Sequence, residues 1–312
     1  MKENKARVIA FYLPQYHPIP ENDKYWGKGF TEWTNVAKAK PLFRGHYQPH
    51  IPADLGFYDL RLPEVREAQA ELARDAGIEG FCYYHYWFGN GKMLLQKPFE
   101  EVLRLGKPDF PFCLCWANHD WTTKTWVKGS SMVNNTMIAQ QEYLGEQDDI
   151  KHFEYCLRAF KDHRYITIEG KPIFLIYDPL SFPNVKEFMN RWNFLAKKNN
   201  LKGIYFIGVT TGRQSSYKIV TNLGFDGVCH NRRWEAEAKA AGFRFVRRMQ
   251  SLLGWHLGIS LMKYDYNKVV RNYDTPENKL ENCYPVITPG FDRTPRAGRR
   301  AGICLLYTSP SP

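Results

Sequence analysis

The sequence predicts an α/β protein whose parallel sheet belongs to a (β/α)8 barrel of the TIM type, with about seven strands present and the eighth strand and helix missing. Seven short apolar runs alternate with helical patterns between residues 8 and 288, and this alternation is typical of parallel sheets. The first run is followed by Pro14-Gln15-Tyr16-His17-Pro18. A doubly wound nucleotide-binding sheet usually has a glycine-rich turn there, so the barrel is the preferred architecture.

The predicted strands are short apolar runs bounded by charged residues, glycine or proline. They cover residues 8–13, 78–84, 112–116, 173–177, 203–210, 225–230 and 284–288. Pro14 stops the first run, and Lys171-Pro172 leads into the fourth. Bounded apolar runs of this length suit strands that are buried on both faces.

The predicted helices fill the intervals between these strands. They cover residues 63–76, 99–105, 148–160, 185–199 and 215–223. The first has Pro63 at its first position and Gly77 as its stop. Its apolar face consists of Val65, Ala68, Leu72 and Ala76. Residues 14–62 are predicted as a long loop, and residues 235–282 as mostly helical and basic.

Composition indicates a globular protein with a preference for ring-shaped ligands. Of the 312 residues, 44% are hydrophobic, 24% are charged and 15% are aromatic. The net charge is +11, but the basic residues are scattered apart from Arg232-Arg233 and the runs 244–248 and 293–300. No nucleic-acid-binding motif is present, so no nucleic-acid partner is expected. Attraction to an anionic lipid or polysaccharide remains open.

Cysteine and apolar patterns predict no metal, no cofactor and no membrane span. The seven cysteines have no framework spacing, and no CxxC pair or His/Cys cluster is apparent. Cys113 and Cys115 share one face of a strand and are interpreted as small core residues. Neither a signal peptide nor a run of about 18 apolar residues is visible. We therefore expect a cytoplasmic protein whose membrane contact, if it has any, is peripheral.

Candidate binding residues follow the strands, because barrel enzymes collect function at the carboxyl ends of their strands. After the first strand come Tyr12, Gln15, Tyr16, His17, Trp26, Glu32 and Trp33. After the later strands come His85, Tyr86, Trp87, Trp116, Asn118, Asp120, Trp121, Asp178, Thr210, Thr211, His230 and Asp292. Aromatic rings mixed with His, Asn and Asp are typical of a carbohydrate cleft, since a sugar presents C–H patches on one side and hydroxyl groups around its rim.

The run of residues 80–88, GFCYYHYWF, is the densest of these segments. Packing alone would favour Val, Ile and Leu in such a strand. Its aromatic residues equally allow a strand whose rings only fill volume, and this run leaves the two interpretations about even.

Each polar candidate also has a structural interpretation. His17 and His85 are more often structural than catalytic when considered alone. Asp120 and Asp178 could cap the helices that follow, and Glu32 could anchor its loop. Trp121 and Trp126 flank a loop, where exposed tryptophan favours ligand contact. Glycoside hydrolysis needs two carboxyl groups about 5–10 Å apart, and no obvious pair is present.

Several motifs closely resemble the WbsX-like family, also called the glycoside hydrolase family 99-like family. They occupy residues 11–17 (FYLPQYH), 29–35 (GFTEWTN), 43–52, 80–88, 115–118, 170–177, 224–227 and 288–292 (TPGFD). The resemblance covers about residues 6–301. It implies a (β/α)8 barrel and a role in bacterial polysaccharide and O-antigen metabolism, with a glycan or lipid-linked oligosaccharide as substrate.

The sequence departs from the family after the TPGFD segment. The family continues to a late Asn-Glu-Trp-x-Glu-Gly-type motif, in the region where the related hydrolases have their acid/base carboxylates, and this chain has no counterpart. We therefore expect a truncated barrel domain over residues 1–301, a non-native read-through tail over residues 302–312, and catalytic carboxylates that lie beyond the chain. An open barrel would also expose two sheet edges.

Three functions follow from these observations. The leading hypothesis is a carbohydrate-active domain that acts on bacterial glycans as a glycosidase or glycosyltransferase, although this chain is expected to be inactive. The alternative is a non-catalytic glycan-binding domain. A basic nucleic-acid or anionic-surface binder is the third.

Overall fold

The computed structural model of the protein describes residues 6–123, 136–210, 216–241, 249, 263–298 and 303–305. The α-helices are α1 Pro20–Trp26, α2 Glu32–Lys38, α3 Pro63–Asp75, α4 Lys97–Leu105, α5 Glu146–Phe160, α6 Val185–Lys198, α7 Tyr217–Asn222, α8 Arg233–Ala240, α9 Tyr266–Val270 and α10 Thr294–Ala297. The strands are β1 Ile9–Tyr12, β2 Gly80–His85, β3 Phe112–Trp116, β4 Trp121–Thr122, β5 Met137–Ala139, β6 Thr167–Ile168, β7 Lys171–Ile176, β8 Tyr205–Val209, β9 Gly227–His230, β10 Lys263–Asp265, β11 Cys283–Pro285, β12 Phe291–Asp292 and β13 Ile303–Leu305.

Seven parallel strands form the main sheet in the order β1-β2-β3-β7-β8-β9-β11. This spatial order is the order of the strands along the chain, so each crossover moves one strand further in the same direction. A doubly wound sheet would reverse direction at its middle. The sheet therefore confirms the predicted incomplete (β/α)8 barrel, with β1 and β11 as its two outermost strands in the part of the chain that the structure describes.

Most predicted strands and helices are present. The segment 14–62, predicted as one long loop, contains α1 and α2. Of the region 235–282, predicted as mostly helical, residues 242–248 and 250–262 lie outside the described residues, and residues 263–265 form β10. The third strand has the predicted bounds, whereas the last one is shorter, at Cys283–Pro285. Helix α3 buries Arg66 and Ala70, and it leaves Leu72 exposed rather than burying the predicted face. The reason is that the Arg66 guanidinium donates to the Leu60 carbonyl (2.6 Å), and a long side chain covers apolar surface with its aliphatic stem.

The two faces of the sheet have different neighbours. On β2, Tyr83 packs against Phe99 of α4, with ring centroids 5.3 Å apart. The next residue, Tyr84, stacks on Phe11 of β1 at 5.4 Å. Because successive strand residues point to opposite faces, odd-numbered residues of β2 contact the helices and even-numbered residues face the barrel interior. This alternation decides which residues reach the site.

The long segment between β1 and α3 is tied to the last described part of the chain. His46 Nε2 lies 2.9 Å from Asp292 Oδ2, and Gln48 donates to the same oxygen at 2.6 Å. Glu32 at the start of α2 forms an ion pair with Arg296 in α10. These contacts hold the segment over the carboxyl ends of the strands.

Smaller sheets decorate the barrel. Strands β4 and β5 form an antiparallel pair after β3, and β13 lies between β10 and β12 in a three-stranded sheet. Among the described helices, none has the length and apolar character needed to cross a lipid bilayer.

Candidate functional site at the barrel mouth

The carboxyl ends of adjacent strands are locked together by side chains. Asn118, which is fully buried, joins the exits of β3 and β7, because its Nδ2 donates to the Asp178 carbonyl (2.8 Å) and its Oδ1 accepts from the Asp178 amide (2.7 Å). Thr210 Oγ1 accepts from the Asn231 amide at 2.9 Å and so joins the exits of β8 and β9. Its predicted neighbour Thr211 lies outside the described residues, as does Trp126. The rim is therefore held by hydrogen bonds to the backbone.

A stacked aromatic pair lies at this rim. Tyr86 follows β2 on the interior side, and its ring stacks on Trp121 of β4 with centroids 5.8 Å apart and an interplanar angle of 22°. The Gln15 amide donates to the Tyr86 hydroxyl at 3.5 Å. Tyr86 is buried, and its ring also stacks on Phe88 with centroids 6.3 Å apart. The partly exposed Trp121 therefore supplies the ring face of this group and Gln15 its polar edge, and we call Tyr86, Trp121 and Gln15 the mouth platform.

A buried ion pair stands beside the mouth platform. Glu32 is the first residue of α2, where the Thr31 capping box positions it, and its carboxylate pairs with Arg296. Burial raises the pKa of Glu32, and the contact with Arg296 works against that rise. Burial also raises the pKa of Tyr86, and the nearby charges of Arg296 and Glu32 modify it in opposite directions. The ion pair is therefore close enough to act on the Tyr86 hydroxyl.

A line of rings crosses the interior below the mouth platform. Phe11 stacks on Tyr84, Tyr84 contacts Tyr177 at 6.0 Å, and Tyr177 contacts His119 at 5.4 Å. Tyr84 and Tyr177 are not among the residues predicted from the sequence, because both have the pattern of ordinary strand residues. Their period-two relation to Tyr86 and to the β7 exit is the signal that would have found them.

His119 lies between two carboxylates at the rim. Burial against Tyr177 lowers the pKa of His119, and the charges of Asp178 and Asp120 partly offset this change. Asp120 accepts a hydrogen bond from the Gln141 amide (2.8 Å), and Asp178 accepts one from the Ser181 hydroxyl (2.7 Å). Both carboxylates therefore already have hydrogen-bonding partners.

Asp292 lies in the tie between the first loop and the late segment. It accepts from Gln48 and the Thr294 amide and contacts His46. Burial opposes its ionisation, but these hydrogen bonds outweigh burial and lower the pKa of Asp292. Its position fits a structural anchor.

Four predicted candidates lie in the layer between the sheet and the helices. These are Tyr12, His85, Trp87 and Trp116. The Tyr12 hydroxyl donates to Gln69 of α3 at 2.6 Å, and the Trp116 ring packs against Phe188 of α6. Their positions in the strand alternation point their side chains away from the barrel interior. The structure therefore does not bring them together with the mouth platform.

The other candidates are distributed over the first loop and the β9 exit. Tyr16 and Trp33 pack on each other at 4.6 Å, and Trp26 packs on Phe30. His17 is buried without a hydrogen bond to either ring nitrogen, and burial lowers its pKa to about 4. His230 is buried and contacts Asn278 through Nδ1 at 3.0 Å. A ligand contact for these residues stays a prediction.

A cluster that the sequence does not reveal lies behind β2. The Nε2 atoms of His85 and His152 are 2.8 Å apart, and Cys156 lies one helical turn after His152 in α5, with the three ligand atoms within 4.8 Å of one another. Two imidazoles and a thiol are donors that suit soft metal ions. Here the two imidazoles hydrogen bond to each other, so their Nε2 atoms are satisfied without an ion.

Known proteins match this chain in sequence over nearly its whole length. The model of the family described as Glycosyltransferase WbsX matches residues 8–311. The protein WxcX of Xanthomonas campestris pv. campestris strain B100, described as uncharacterized, is 34% identical over 307 residues, and a second strain of this pathovar gives the same value. The match covers 98% of this chain and 41% of the relative, so the chain spans less than half the length of those relatives.

Solved structures were also matched. The family 99 endo-α-mannosidase from Bacteroides thetaiotaomicron in complex with BIS-TRIS-propane is 16% identical, with a TM-score of 0.45 over 72% of this chain and 58% of that one. A second structure of this enzyme gives 15% identity and a TM-score of 0.41 over 72% and 60% of the two chains. The fold assignment rests on the strand order, and the family assignment rests on the match over residues 8–311. The chain belongs to the WbsX family.

Proposed function

We propose that this chain is a carbohydrate-active domain that binds a bacterial glycan at the barrel mouth. The observation that carries the proposal is the mouth platform, in which the partly exposed Trp121 ring is backed by the buried Tyr86 and Gln15 supplies an amide at their edge. Aromatic faces with a few convergent polar groups suit ring-shaped polar ligands. The family is described as a glycosyltransferase family, which supports the same substrate class.

The proposed substrate is a bacterial polysaccharide such as an O-antigen, either free or linked to a lipid carrier. Glu32, Asp120 and Asp178 are the proposed polar contacts around the mouth platform. Their carboxylates would accept hydrogen bonds from sugar hydroxyl groups, for which an ionised carboxylate is a strong acceptor. Transfer or cleavage of a glycosyl unit is the proposed reaction class.

One observation favours a second candidate, binding without catalysis. A glycosidase needs a carboxyl pair in which one group remains free to exchange a proton. Among the described residues of the mouth, Glu32 pairs with Arg296, and Asp178 accepts from Ser181. Such an arrangement would bind and orient a sugar without supplying an acid/base pair from these two carboxyl groups.

Binding can be tested on an array of bacterial glycans that includes O-antigen oligosaccharides, followed by calorimetry on the best ligand. We expect Trp121→Ala to weaken binding by about tenfold, because a central aromatic contact contributes ~1.4 kcal/mol or more. Phe194→Ala is the matched control, since Phe194 is an exposed aromatic residue of α6. Binding that is unchanged in Trp121→Ala would contradict the proposal.

Two further measurements separate the alternatives. A neutral glycan should bind with little dependence on salt, whereas a nucleic-acid complex weakens steeply as salt rises. Incubating the best ligand with the protein and following its mass distinguishes an enzyme from a binding domain. Turnover that is lost in Asp178→Asn would favour the enzyme, and unaltered ligand would favour the binding domain.

A further inference from the structure

Three arginines converge beside the barrel mouth from distant parts of the chain. Arg233 is the first residue of α8, Arg293 follows β12, and Arg296 lies in α10. The sequence shows them only as members of basic runs. Their proximity follows from the fold, which brings the β9 exit and the late segment to the same side of the rim.

The positions of Arg296 and Arg233 follow from their contacts with other residues. Arg296 pairs with Glu32 next to the mouth platform. Arg233 lies at the β9 exit, because it begins α8 only three residues after β9 ends at His230. Its guanidinium lies 3.7 Å from the centroid of the Phe291 ring, which fixes its position by a cation–π contact.

Arg293 is half-buried, and it lies two residues after Phe291, whose ring Arg233 contacts, and three residues before Arg296. Burial lowers the pKa of Arg293, and the charges of Arg296 and Arg233 lower it further. Within the described residues, its guanidinium forms no hydrogen bond and no ion pair. The neighbouring carboxylate, Asp292, instead contacts His46 and Gln48. Positive charges held this close are normally compensated, because desolvating an unpaired ion is costly.

Arg233 also has an unfilled donor. Its Nη1 is buried without a hydrogen-bond partner, and it forms a long ion pair with Glu237 at 3.7 Å. Within the described residues, the Arg293 guanidinium is thus unpaired and that of Arg233 is incompletely hydrogen bonded. A planar guanidinium matches carboxylate and phosphate oxygens in a two-pronged geometry.

We propose that Arg293, with the neighbouring Arg233 and Arg296, forms an anion subsite that takes a carboxylate or phosphate group carried by the saccharide. The inference rests on the proposed function and deepens it, since it makes the substrate an acidic glycan or a phosphorylated sugar rather than a neutral one. The mouth platform would hold a sugar ring while the subsite holds its charged substituent.

The experiment uses the full chain at fixed ionic strength and measures binding by calorimetry. Oligogalacturonate probes the carboxylate source, its methyl ester is the uncharged match, and pyrophosphate probes the phosphate source. We expect at least one of the two anions to bind. If carboxylate is the source, the methyl ester should bind at least tenfold more weakly than its acid. Arg293→Gln should weaken the affinity for the bound anion by roughly tenfold or more.

Arg104→Gln is the control, because Arg104 is an exposed residue of α4 whose loss changes the net charge equally. Arg293→Lys keeps the positive charge but lacks the two-pronged guanidinium geometry, so it should give an intermediate affinity. Unfolding curves check that each variant is folded. Failure of both anions to bind, or equal binding to Arg293→Gln, would overturn the subsite.

The two proposals fail separately. If neither anion binds but neutral glycans bind in a manner that depends on Trp121, the subsite is refuted and the proposed function stands. Arg293-dependent binding of pyrophosphate without any glycan binding supports the subsite and contradicts the proposed function.

Discussion

At the scale of single residues, Asn118 contributes most to the shape of the mouth. It makes two hydrogen bonds to the backbone of Asp178 and a third to the Tyr143 hydroxyl at 2.9 Å. A buried amide with all these partners positions two strand exits at once, because no water is available to take its place as their hydrogen-bonding partner. The separation of the β3 and β7 exits, and with it the position of His119, therefore depends on one side chain.

We predict that Asn118→Ala lowers the free energy of unfolding by about 2–4 kcal/mol, because it leaves the Asp178 amide and carbonyl without partners in a buried site. Urea denaturation followed by tryptophan fluorescence measures the change. Asn222→Ala, at the exposed end of α7, should change stability by less than about 0.5 kcal/mol. Equal urea midpoints for Asn118→Ala and the parent protein would contradict this role.

At the scale of elements, the contact of α5 with β2 and β3 contains two histidines in an aromatic layer. The His152 ring stacks on Trp87 at 4.6 Å, and His85 stacks on Tyr155 at 5.5 Å. Burial lowers the pKa of His85 to about 3, and it lowers that of His152 well below the ordinary value. The helix is therefore docked through imidazoles that must stay neutral.

This contact predicts that stability falls with acid. The unfolded chain takes up protons at these histidines below about pH 6.5, whereas the folded chain does not, so the free energy of unfolding decreases as pH falls from about 6.5 towards 4. The loss is at most about 1.4 kcal/mol per pH unit for each histidine. Urea denaturation at pH 7.5, 6.5, 5.5 and 4.5, chosen as roughly even steps across this window, measures it.

Variants assign the effect to α5. His152→Gln should give a shallower dependence on pH than the parent protein, since one titrating group is removed. His163→Gln is the matched control, because the side chain of His163 is 82% exposed. Parallel pH profiles for His152→Gln and the parent protein would refute the assignment.

Strand order is predictable from this sequence, whereas the direction of individual side chains is not. The order and type of the main strands follow from apolar periodicity, and the third strand is predicted to the residue. Side-chain direction is harder, because a shift of one residue moves a side chain to the opposite face. His85 and Tyr86 look equally suited to a ligand in the sequence, yet His85 contacts α5 and Tyr86 stacks on Trp121.

The arginines mark a second limit. Arg233, Arg293 and Arg296 have no local pattern that distinguishes them from surface basic residues. Their significance depends on contacts between segments about 60 residues apart, which loop conformation rather than periodicity determines. The net charge and the basic runs therefore did not predict the proposed grouping of these three arginines.

At the scale of the whole molecule, the sheet has two outermost strands in its described part. β1 pairs with β2 on one side only, and a groove of about 550 Å³ beside it is lined by Tyr12, Tyr58 and Leu72 among others. An edge with unpaired backbone groups and apolar neighbours is a template for association with another chain.

We predict that the isolated chain associates at increasing concentration through the β1 edge. Val8→Lys should reduce the association, because a charged residue on an edge disfavours strand pairing, and Val8 is 47% exposed. Sedimentation velocity over a concentration series measures the change. Phe194→Lys on α6 adds the same charge away from the edge, so equal reduction by both variants would show that charge rather than the edge is responsible.

The ties between the first loop and the late segment also determine when the binding site can form. His46 and Asp292 are 246 residues apart in the chain, and Glu32 and Arg296 are 264 apart. Contacts of such separation are slow to form, and during synthesis the first partner leaves the ribosome long before the second. The early strands can pair as they emerge, but a nascent chain stalled before Asp292 should hold its barrel strands without a finished rim. The proposed glycan site then forms only after Asp292 and Arg296 have been synthesised.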